Sequence, residues 1–282
     1  MIHGRCLCGT VRYEVDGPFV NASHCHCSMC RKHHGTPFAT WAGAPLAGFR
    51  YTAGADRIGR HASSPGFHRS FCTNCGSALP EGIESAGMVV CPAGNIEGDI
   101  GVEPAMHMFV GSKAPWHEIT DDLPQYEEFP PQWGMSATPR QPRPTEDGHV
   151  QGSCLCGEVA FSITGPPLRM YYCHCSRCRL GRSAAHASNI FFKADGLRWL
   201  RGAELVRDYQ LPDARYFGAA FCARCGGKLP RVSAERNVAT VPAGCLDNDP
   251  GMRVQAHIFV ESMATWDRIT DQVPRFAGMP PG

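Results

Sequence analysis

The sequence lacks an excess of charge of either sign. Its 27 Lys and Arg residues almost balance its 26 Asp and Glu residues, which leaves a formal net charge of +1. Binding to nucleic acid through phosphate contacts needs a clustered basic surface, so this balance argues against nucleic acid as the main partner. The chain also lacks an apolar run of the roughly 18 residues that a membrane span requires, which predicts no membrane association.

The amino terminus, MIHGRCLCGT, lacks the apolar segment of a secretory signal, so we expect a cytoplasmic location. Hydrophobic residues make up 43% of the chain and charged residues 19%, which indicates a folded chain. The length of 282 residues suggests two domains of ordinary size. In a reducing compartment, the 16 cysteines favour metal ligation over disulfides.

The chain contains the same module twice. HGRCLCGTVRYEVDGP at residues 3–18 matches QGSCLCGEVAFSITGP at 151–166, and FCTNCGSALP at 71–80 matches FCARCGGKLP at 221–230. The matching segments lie 148 and 150 residues apart. This period is too long for a solenoid unit and indicates domain duplication. We predict modules at 1–128 and 149–282, joined by a proline-rich linker at 129–148.

Each module shows the period-two alternation of half-buried strands. Val11, Tyr13 and Val15 share one face of a strand, while Arg12 and Glu14 take the other. Glycine and proline separate further predicted strands, at 38–41, 68–72, 88–92 and 105–110 in the first module and at 187–192, 216–222, 238–242 and 256–260 in the second. No segment has the pattern of a long amphipathic helix, so the predicted fold class is mainly β.

Seven cysteines recur in the same order in each module. They are Cys6, Cys8, Cys25, Cys27, Cys30, Cys72 and Cys75 in the first module, and Cys154, Cys156, Cys173, Cys175, Cys178, Cys222 and Cys225 in the second. The other two cysteines, Cys91 and Cys245, do not align with each other. We interpret them as small buried hydrophobic side chains.

The seven cysteines divide into a set of four and a set of three. A C-x-C pair at a strand start and a distant C-x-x-C-G turn can aim four sulfurs at one ion, which makes a closed structural site. The predicted ligands are Cys6, Cys8, Cys72 and Cys75 in the first module and Cys154, Cys156, Cys222 and Cys225 in the second. The C-x-C-x-x-C trio supplies three ligands and leaves one exchangeable position, the layout of a catalytic zinc site. The candidate catalytic residues are therefore Cys25, Cys27, Cys30, Cys173, Cys175 and Cys178. We expect two zinc ions per module, four per chain.

The fourth position of each trio is open to alternatives. In the first module His24, His26 or His107 could close it, or a small-molecule thiol or water could occupy it. His26 and His174 each lie between two cysteines on an extended segment, so their side chains should point away from the metal and form hydrogen bonds.

On these motifs the chain resembles the glutathione-dependent formaldehyde-activating enzyme family, which is also grouped with centromere protein V. The resemblance rests on G-x-C-x-C-G, H/Y-C-H-C-S-x-C-R, F-C-x-x-C-G and H-x-F-V…W, and it covers nearly all of both modules. It implies a β-tent fold, a structural zinc on each set of four cysteines, and a labile zinc on each trio near bound glutathione. It also implies a carbon–sulfur lyase that joins glutathione and formaldehyde into S-hydroxymethylglutathione.

Glutathione is anionic and requires cationic contacts. The candidates are Arg31, Lys32 and Lys113 in the first module and Arg179 and Arg182 in the second; the alternative for each is a solvated charge or a local backbone contact. The second module keeps its cysteines while the neighbouring residues change, so the two copies differ in substrate or in activity. Trp116 and Trp266 are expected to pack in the cores.

Three functions follow as hypotheses. The first is a zinc-dependent carbon–sulfur lyase that acts on an adduct of glutathione or another small thiol. The second is a non-catalytic zinc module that binds a thiol metabolite or a protein. The third, a chromatin or cytoskeletal partner, is disfavoured because the chain lacks a basic, disordered tail. Duplication suggests that the two modules pack as an intramolecular pseudo-dimer.

Overall fold

A computed structural model describes residues 1–137, 143, 145 and 148–281. The predicted linker therefore lies partly outside the described residues. The described chain is mainly β, with one short α-helix in each half, which confirms the predicted fold class. Among these residues no helix has the length and hydropathy that a membrane span requires.

The two halves contain the same elements in the same order. The strands of the first half, β1 to β12, are Ile2–Arg5, Arg12–Val15, Asn21–Cys25, Ala39–Pro45, Phe49–Ala53, Ile58–Ser64, Phe67–Cys72, Ala78–Leu79, Glu81–Ile83, Met88–Pro92, His107–Met108 and Gln125–Tyr126. Those of the second half, β13 to β24, are Val150–Ser153, Ala160–Ile163, Arg169–Cys173, Ala187–Lys193, Leu197–Arg201, Val206–Gln210, Gly218–Cys222, Lys228–Leu229, Arg231–Ser233, Val238–Pro242, Ala256–Ile258 and Arg275–Phe276. The helices are α1, Ser28–His34, and α2, Ser176–Arg182.

Each half folds into three sheets with the same strand order. In the first half the sheets are β1-β2-β5, β6-β7-β8 and β12-β11-β3-β4-β10-β9. In the second half they are β13-β14-β17, β18-β19-β20 and β24-β23-β15-β16-β22-β21. The chain is thus two tandem β-tent modules. In the large sheet β11 pairs in parallel with β3, which places His107 beside His24 and brings the H-x-F-V motif next to the first trio.

The alternation in the sequence matches the observed burial. Tyr13 and Val15 are buried and Arg12 is exposed along β2. The predicted strands at 88–92 and 238–242 have the observed bounds. The strand predicted at 105–110 is only His107–Met108, because Phe109 has a left-handed backbone with φ 61° and starts a 3₁₀ turn. Phe259, with φ 57°, ends the equivalent strand of the second module in the same way.

The two modules exchange a tryptophan. Trp116 of the first module is 2% exposed and, with Ala114, joins a buried cluster whose other buried members come from the second module. Trp266 is 4% exposed and, with Ala185 and Ala264, completes the buried cluster of the first module. Both tryptophans are core residues, as expected, but each lies in the core of the opposite module.

The end of each short helix also packs against the opposite module. A Cβ added to Gly94 would lie 2.1 Å from the backbone nitrogen of Ala184, and one added to Gly244 would lie 2.4 Å from that of Thr36. Any larger side chain at these two positions would push the modules apart. This is the physical requirement behind the A-G pair that both modules carry.

Candidate metal centres and active-site cavity

Four cysteine sulfurs meet at one point in each module. In the first module the Sγ atom of Cys8 lies 3.3 Å from that of Cys6 and 3.7 Å from that of Cys72. All four sulfurs of Cys6, Cys8, Cys72 and Cys75 lie within 4.8 Å of one another, as do those of Cys154, Cys156, Cys222 and Cys225. A zinc–sulfur bond of about 2.3 Å gives tetrahedral sulfur separations of roughly 3.8 Å, so both sets fit a tetrahedral ion.

Local backbone structure positions the four-cysteine clusters. Cys72 is the last residue of β7, and its carbonyl accepts a hydrogen bond from the Gly76 amide at 2.8 Å, which closes the C-x-x-C turn. The Cys6 amide donates to the Val11 carbonyl at 3.1 Å at the start of the module. The cluster therefore joins the first turn of the module to a hairpin far along the chain.

The three remaining cysteines of each module form a second cluster. Cys25 ends β3, Cys27 caps α1, and Cys30 lies in the first turn of that helix, where its amide donates to the Cys27 sulfur at 3.3 Å. The sulfurs of each trio lie within 4.8 Å of one another, and in the described chain no fourth cysteine, histidine or carboxylate ligand atom joins either trio within that distance. All of these thiols are free of disulfides.

Cys91 and Cys245 are fully buried in the hydrophobic clusters, which confirms their interpretation as small hydrophobic side chains.

The histidine between the first two cysteines of each trio belongs to a hydrogen-bonded relay. His26 Nε2 lies 2.8 Å from His107 Nδ1, and His107 Nε2 lies 3.0 Å from the Asp121 carboxylate. Because the carboxylate can only accept, His107 Nε2 carries the proton and His26 Nε2 donates to His107. The second module repeats this relay with His174, His257 and Asp271. The expected hydrogen-bonding role of His26 and His174 is confirmed.

His24, His26 and His117 are neutral at physiological pH. Burial lowers the pKa of His26 to about 2, with a further contribution from His117 and His107, and burial lowers the pKa of His24 to about 3. Burial together with the neighbouring Lys113 lowers the pKa of His117 to about 3. His107 and Asp121 of the first relay and all three members of the second line a cavity of about 300 Å³ between the modules, together with His24 and His117.

The first trio borders a separate cavity of about 530 Å³. Its walls are mostly apolar and aromatic, with Trp41, Phe109, Phe129 and Trp133 among them, and Arg69 also lines it. Burial would lower the pKa of the Arg69 guanidinium, but the adjacent trio sulfurs outweigh burial and raise it, so Arg69 stays a cation. Sequence reasoning missed Arg69. Its position two residues after Phe67 in β7 gives no local signal of proximity to the trio.

The predicted glutathione-binding cations lie elsewhere in the first module. Lys32 is 5% exposed; its ammonium lies 2.7 Å from the Asp247 carboxylate and donates to the Ser153 carbonyl, both in the second module. Burial lowers the pKa of Lys32, and Asp247 opposes that shift. The expectation that Lys32 contacts glutathione is corrected, because its donors are used at the module interface.

The other predicted cations also lie outside the walls of the first cavity or form local contacts. Arg31 and Lys113 are absent from those walls, and the Lys113 ammonium donates to the His117 carbonyl at 2.7 Å. In the second module Arg179 donates to the Ser262 carbonyl at 3.1 Å, and Arg182 donates to the Asn189 side chain at 3.1 Å.

The fold and the clusters define a class of protein: a tandem β-tent protein that carries, in each module, one closed four-cysteine site and one three-cysteine site. The model of the glutathione-dependent formaldehyde-activating enzyme family matches residues 1–112 and 149–262. The chain belongs to this family, and the resemblance found in the sequence is confirmed.

Two curated relatives and one solved structure are similar to parts of this chain. The chain is 31% identical over 144 residues to a Halomonas elongata protein named as a candidate glutathione-dependent formaldehyde-activating enzyme, a match that covers 46% of this chain and 88% of that protein. It is 31% identical over 81 residues to an uncharacterised lyase of Schizosaccharomyces pombe, which covers 27% of this chain and 53% of that protein. This chain is 27% identical in sequence to a Rhodobacter sphaeroides protein of known crystal structure. That match covers 34% of this chain and 88% of the other, at a TM-score of 0.29.

Proposed function

We propose that this protein is a zinc-dependent carbon–sulfur lyase that makes and breaks the adduct of a small thiol with an aldehyde, as in S-hydroxymethylglutathione synthesis. One observation carries the proposal: each module holds a closed four-sulfur cluster and a three-sulfur cluster, and the three-sulfur cluster of the first module borders a cavity large enough for a substrate. Family membership and the lyase-named relative support it.

The residues fit zinc at both kinds of cluster. Buried, unbridged cysteine sulfurs at tetrahedral separations are the donors that zinc prefers, and no disulfide competes for them in the described chain. Cys6, Cys8, Cys72 and Cys75 would hold a structural ion, and Cys25, Cys27 and Cys30 a second ion with an open position; the second module would do the same. We expect four zinc ions per chain.

Zinc on a trio would stabilise the thiolate of a substrate thiol at its one open position. The chain's own residues supply positioning and charge. Arg69 beside the first trio offsets the negative charge of three thiolates. The aromatic walls exclude water and hold thiol and aldehyde together, which replaces a bimolecular encounter by a local one. Near the second trio, Arg179 is the proposed contact for an anionic thiol.

We also propose that the two modules form an intramolecular pseudo-dimer, with modules close to the predicted ranges 1–128 and 149–282. The exchanged tryptophans and the buried Lys32–Asp247 ion pair support this. A cytoplasmic location and the absence of a nucleic-acid partner stay predictions.

The proposed activity is tested by exchange spectroscopy. Zinc-loaded protein is mixed with glutathione and formaldehyde, and NMR follows exchange between the free thiol and its hydroxymethyl adduct. We expect acceleration over the spontaneous reaction, its loss in the double variant Cys27→Ser, Cys175→Ser, and an unchanged circular dichroism spectrum. Exchange at the spontaneous rate would leave only a binding role, and full activity in the double variant would exclude the trios as the site.

A further inference from the structure

The walls of the first trio's cavity offer few cations to the two carboxylates of glutathione. Among the described residues that line it, Arg69 is the one lysine or arginine, and Glu127 and Glu128 also line it, together with Glu81, which pairs with Arg60. Glutathione brings two carboxylates and one ammonium, and Arg69 already faces the trio sulfurs. Added carboxylates would meet acidic side chains in a partly desolvated space, which costs affinity.

Five phenylalanine and tryptophan side chains line the same walls. Phe129 packs edge-on against Phe109 with ring centroids 4.8 Å apart, and Trp133 follows at 6.1 Å from Phe129. Trp41 also lines the cavity. Phe129 and Trp133 belong to the first residues of the predicted linker and line the cavity as well. Trp133 is 41% exposed, so a large apolar surface remains to be covered by a ligand.

The second module keeps Phe259 at the position of Phe109 but lacks three of the other features at the equivalent positions. Asn189 stands at the position of Trp41, Ala219 at that of Arg69, and Met279 at that of Phe129. Its trio instead has exposed Arg177 nearby, with the guanidinium 5.6 Å from the Phe217 ring. The aromatic wall formed by Trp41, Phe129 and Trp133 is therefore specific to the first site, and the metal cluster does not require it.

We propose that the first module acts on a hemithioacetal that carries an apolar group of about the size of an aromatic ring, and that Phe129 and Trp133 hold this group. In the forward direction the thiol sulfur forms a bond to the aldehyde carbon, the carbonyl π bond breaks, and the thiol proton ends on the new hydroxyl oxygen. The reverse reaction returns thiol and aldehyde without an oxidant or a reductant. This inference rests on the proposed function, since the trio supplies the reacting centre.

Turnover tests the choice of substrate. In a Cys175→Ser background, which leaves only the first site, exchange rates are compared for the formaldehyde adduct of benzyl mercaptan, the phenylacetaldehyde adduct of 2-mercaptoethanol, and S-hydroxymethylglutathione. The first two place the apolar group on the thiol or on the aldehyde. We expect kcat/KM for at least one of them to exceed that for the glutathione adduct by roughly tenfold. Preference for the glutathione adduct overturns the inference.

The role of this aromatic wall is tested by substitution. Trp133→Ala should raise KM for the preferred apolar adduct by about fivefold, because it removes part of the buried contact area, and should raise KM for the glutathione adduct by much less. Tyr216→Ala, which removes an exposed aromatic side chain of the second module, is the matched control and should change neither. An equal effect of Trp133→Ala on both adducts contradicts a specific contact.

Binding of inert analogues separates this inference from the proposed function. Calorimetry compares benzyl methyl sulfide with S-methylglutathione, neither of which can react. We expect tighter binding of benzyl methyl sulfide and its loss in Trp133→Ala, whether or not any adduct is turned over. If this binding is present and no adduct exchanges, the lyase proposal fails while the apolar site stands. Tighter binding of S-methylglutathione overturns the apolar site itself.

Discussion

The hydroxyl oxygens of Thr120 and Thr270 lie 2.5 Å apart. The two threonines occupy the same place in the repeated I-T-D motif, so this hydrogen bond joins equivalent positions of the two modules. Contact between equivalent residues is the mark of an isologous, two-fold arrangement. Each exchanged tryptophan lies four residues before the threonine of its own module. The two halves are therefore expected to unfold together.

Loss of one exchanged tryptophan should destabilise both modules. Trp116→Ala leaves a cavity in the core of the second module and should lower the free energy of unfolding by about 3–5 kcal/mol. Chemical denaturation, followed by circular dichroism, measures the change. Tyr216→Ala removes an exposed aromatic ring and should cost less than about 0.5 kcal/mol. A biphasic transition in which only the second module loses stability would show that the modules fold independently.

Metal content should follow the two kinds of cluster. Elemental analysis of the fully loaded protein should give about four zinc ions per chain, one for each cluster. Cys27→Ser should remove one ion with little change in thermal stability, whereas Cys72→Ser should remove one ion and lower Tm, because its cluster joins distant parts of the module. Two ions in the wild-type protein would mean that the trios do not retain metal. Equal losses of Tm in the two variants would contradict the division into structural and open sites.

The buried His34 should make stability fall in mild acid. Burial lowers the pKa of His34 to about 4, and its Nδ1 donates to the Arg182 and Ser183 carbonyls at 2.9 and 3.0 Å. Because the folded pKa lies below the unfolded value of about 6.5, the unfolded chain takes up the proton first. The contribution of neutral His34 to the free energy of unfolding is therefore complete above about pH 6.5. It is lost as the pH falls toward 4, at up to about 1.4 kcal/mol per pH unit.

A variant isolates this effect from protonation of the cysteine sites. His34→Asn keeps a side-chain donor without a titrating ring and should reduce the fall in unfolding free energy between about pH 6.5 and about pH 5 by the contribution of one histidine, while His24, His26 and His117 keep theirs. Denaturation of both proteins across that window gives the two slopes. His3→Asn, at an exposed histidine, should leave the slope as in the wild-type protein. Identical slopes for all three proteins would remove His34 from the acid response.

Arg69 should strengthen metal retention at the first trio. Its guanidinium interacts with the sulfurs of Cys25, Cys27 and Cys30, and removing it leaves their negative charge less compensated. Arg69→Met should weaken zinc binding by the first trio by roughly tenfold, the lower end of typical effects for groups that contact metal ligands. Competition with a chelator measures this affinity. The matched control Arg215→Ala removes an exposed arginine and should have no effect, and unchanged affinity in Arg69→Met would assign Arg69 to substrate contact alone.

Local sequence patterns predicted much of the structure. The alternation of Val11, Tyr13 and Val15 gave a strand face because side chains along a strand point to opposite sides. The strand ends at Phe109 and Phe259 were missed, since left-handed backbone at an aromatic residue has no signature in composition. The assignment of Lys32 to glutathione failed for a different reason: its partner Asp247 lies 215 residues away.

The sequence by itself determined the duplication, the β character and the division of fourteen cysteines into two sets of four and two of three. The division of the cysteines follows from spacing, because one or two intervening residues decide which neighbouring sulfurs can reach one point. The tertiary structure alone decided which module each tryptophan stabilises, that Lys32 pairs across the interface, and that Arg69, Phe129 and Trp133 form walls around the first trio. Such contacts join residues far apart in the chain, and they depend on how packed surfaces meet rather than on any local pattern.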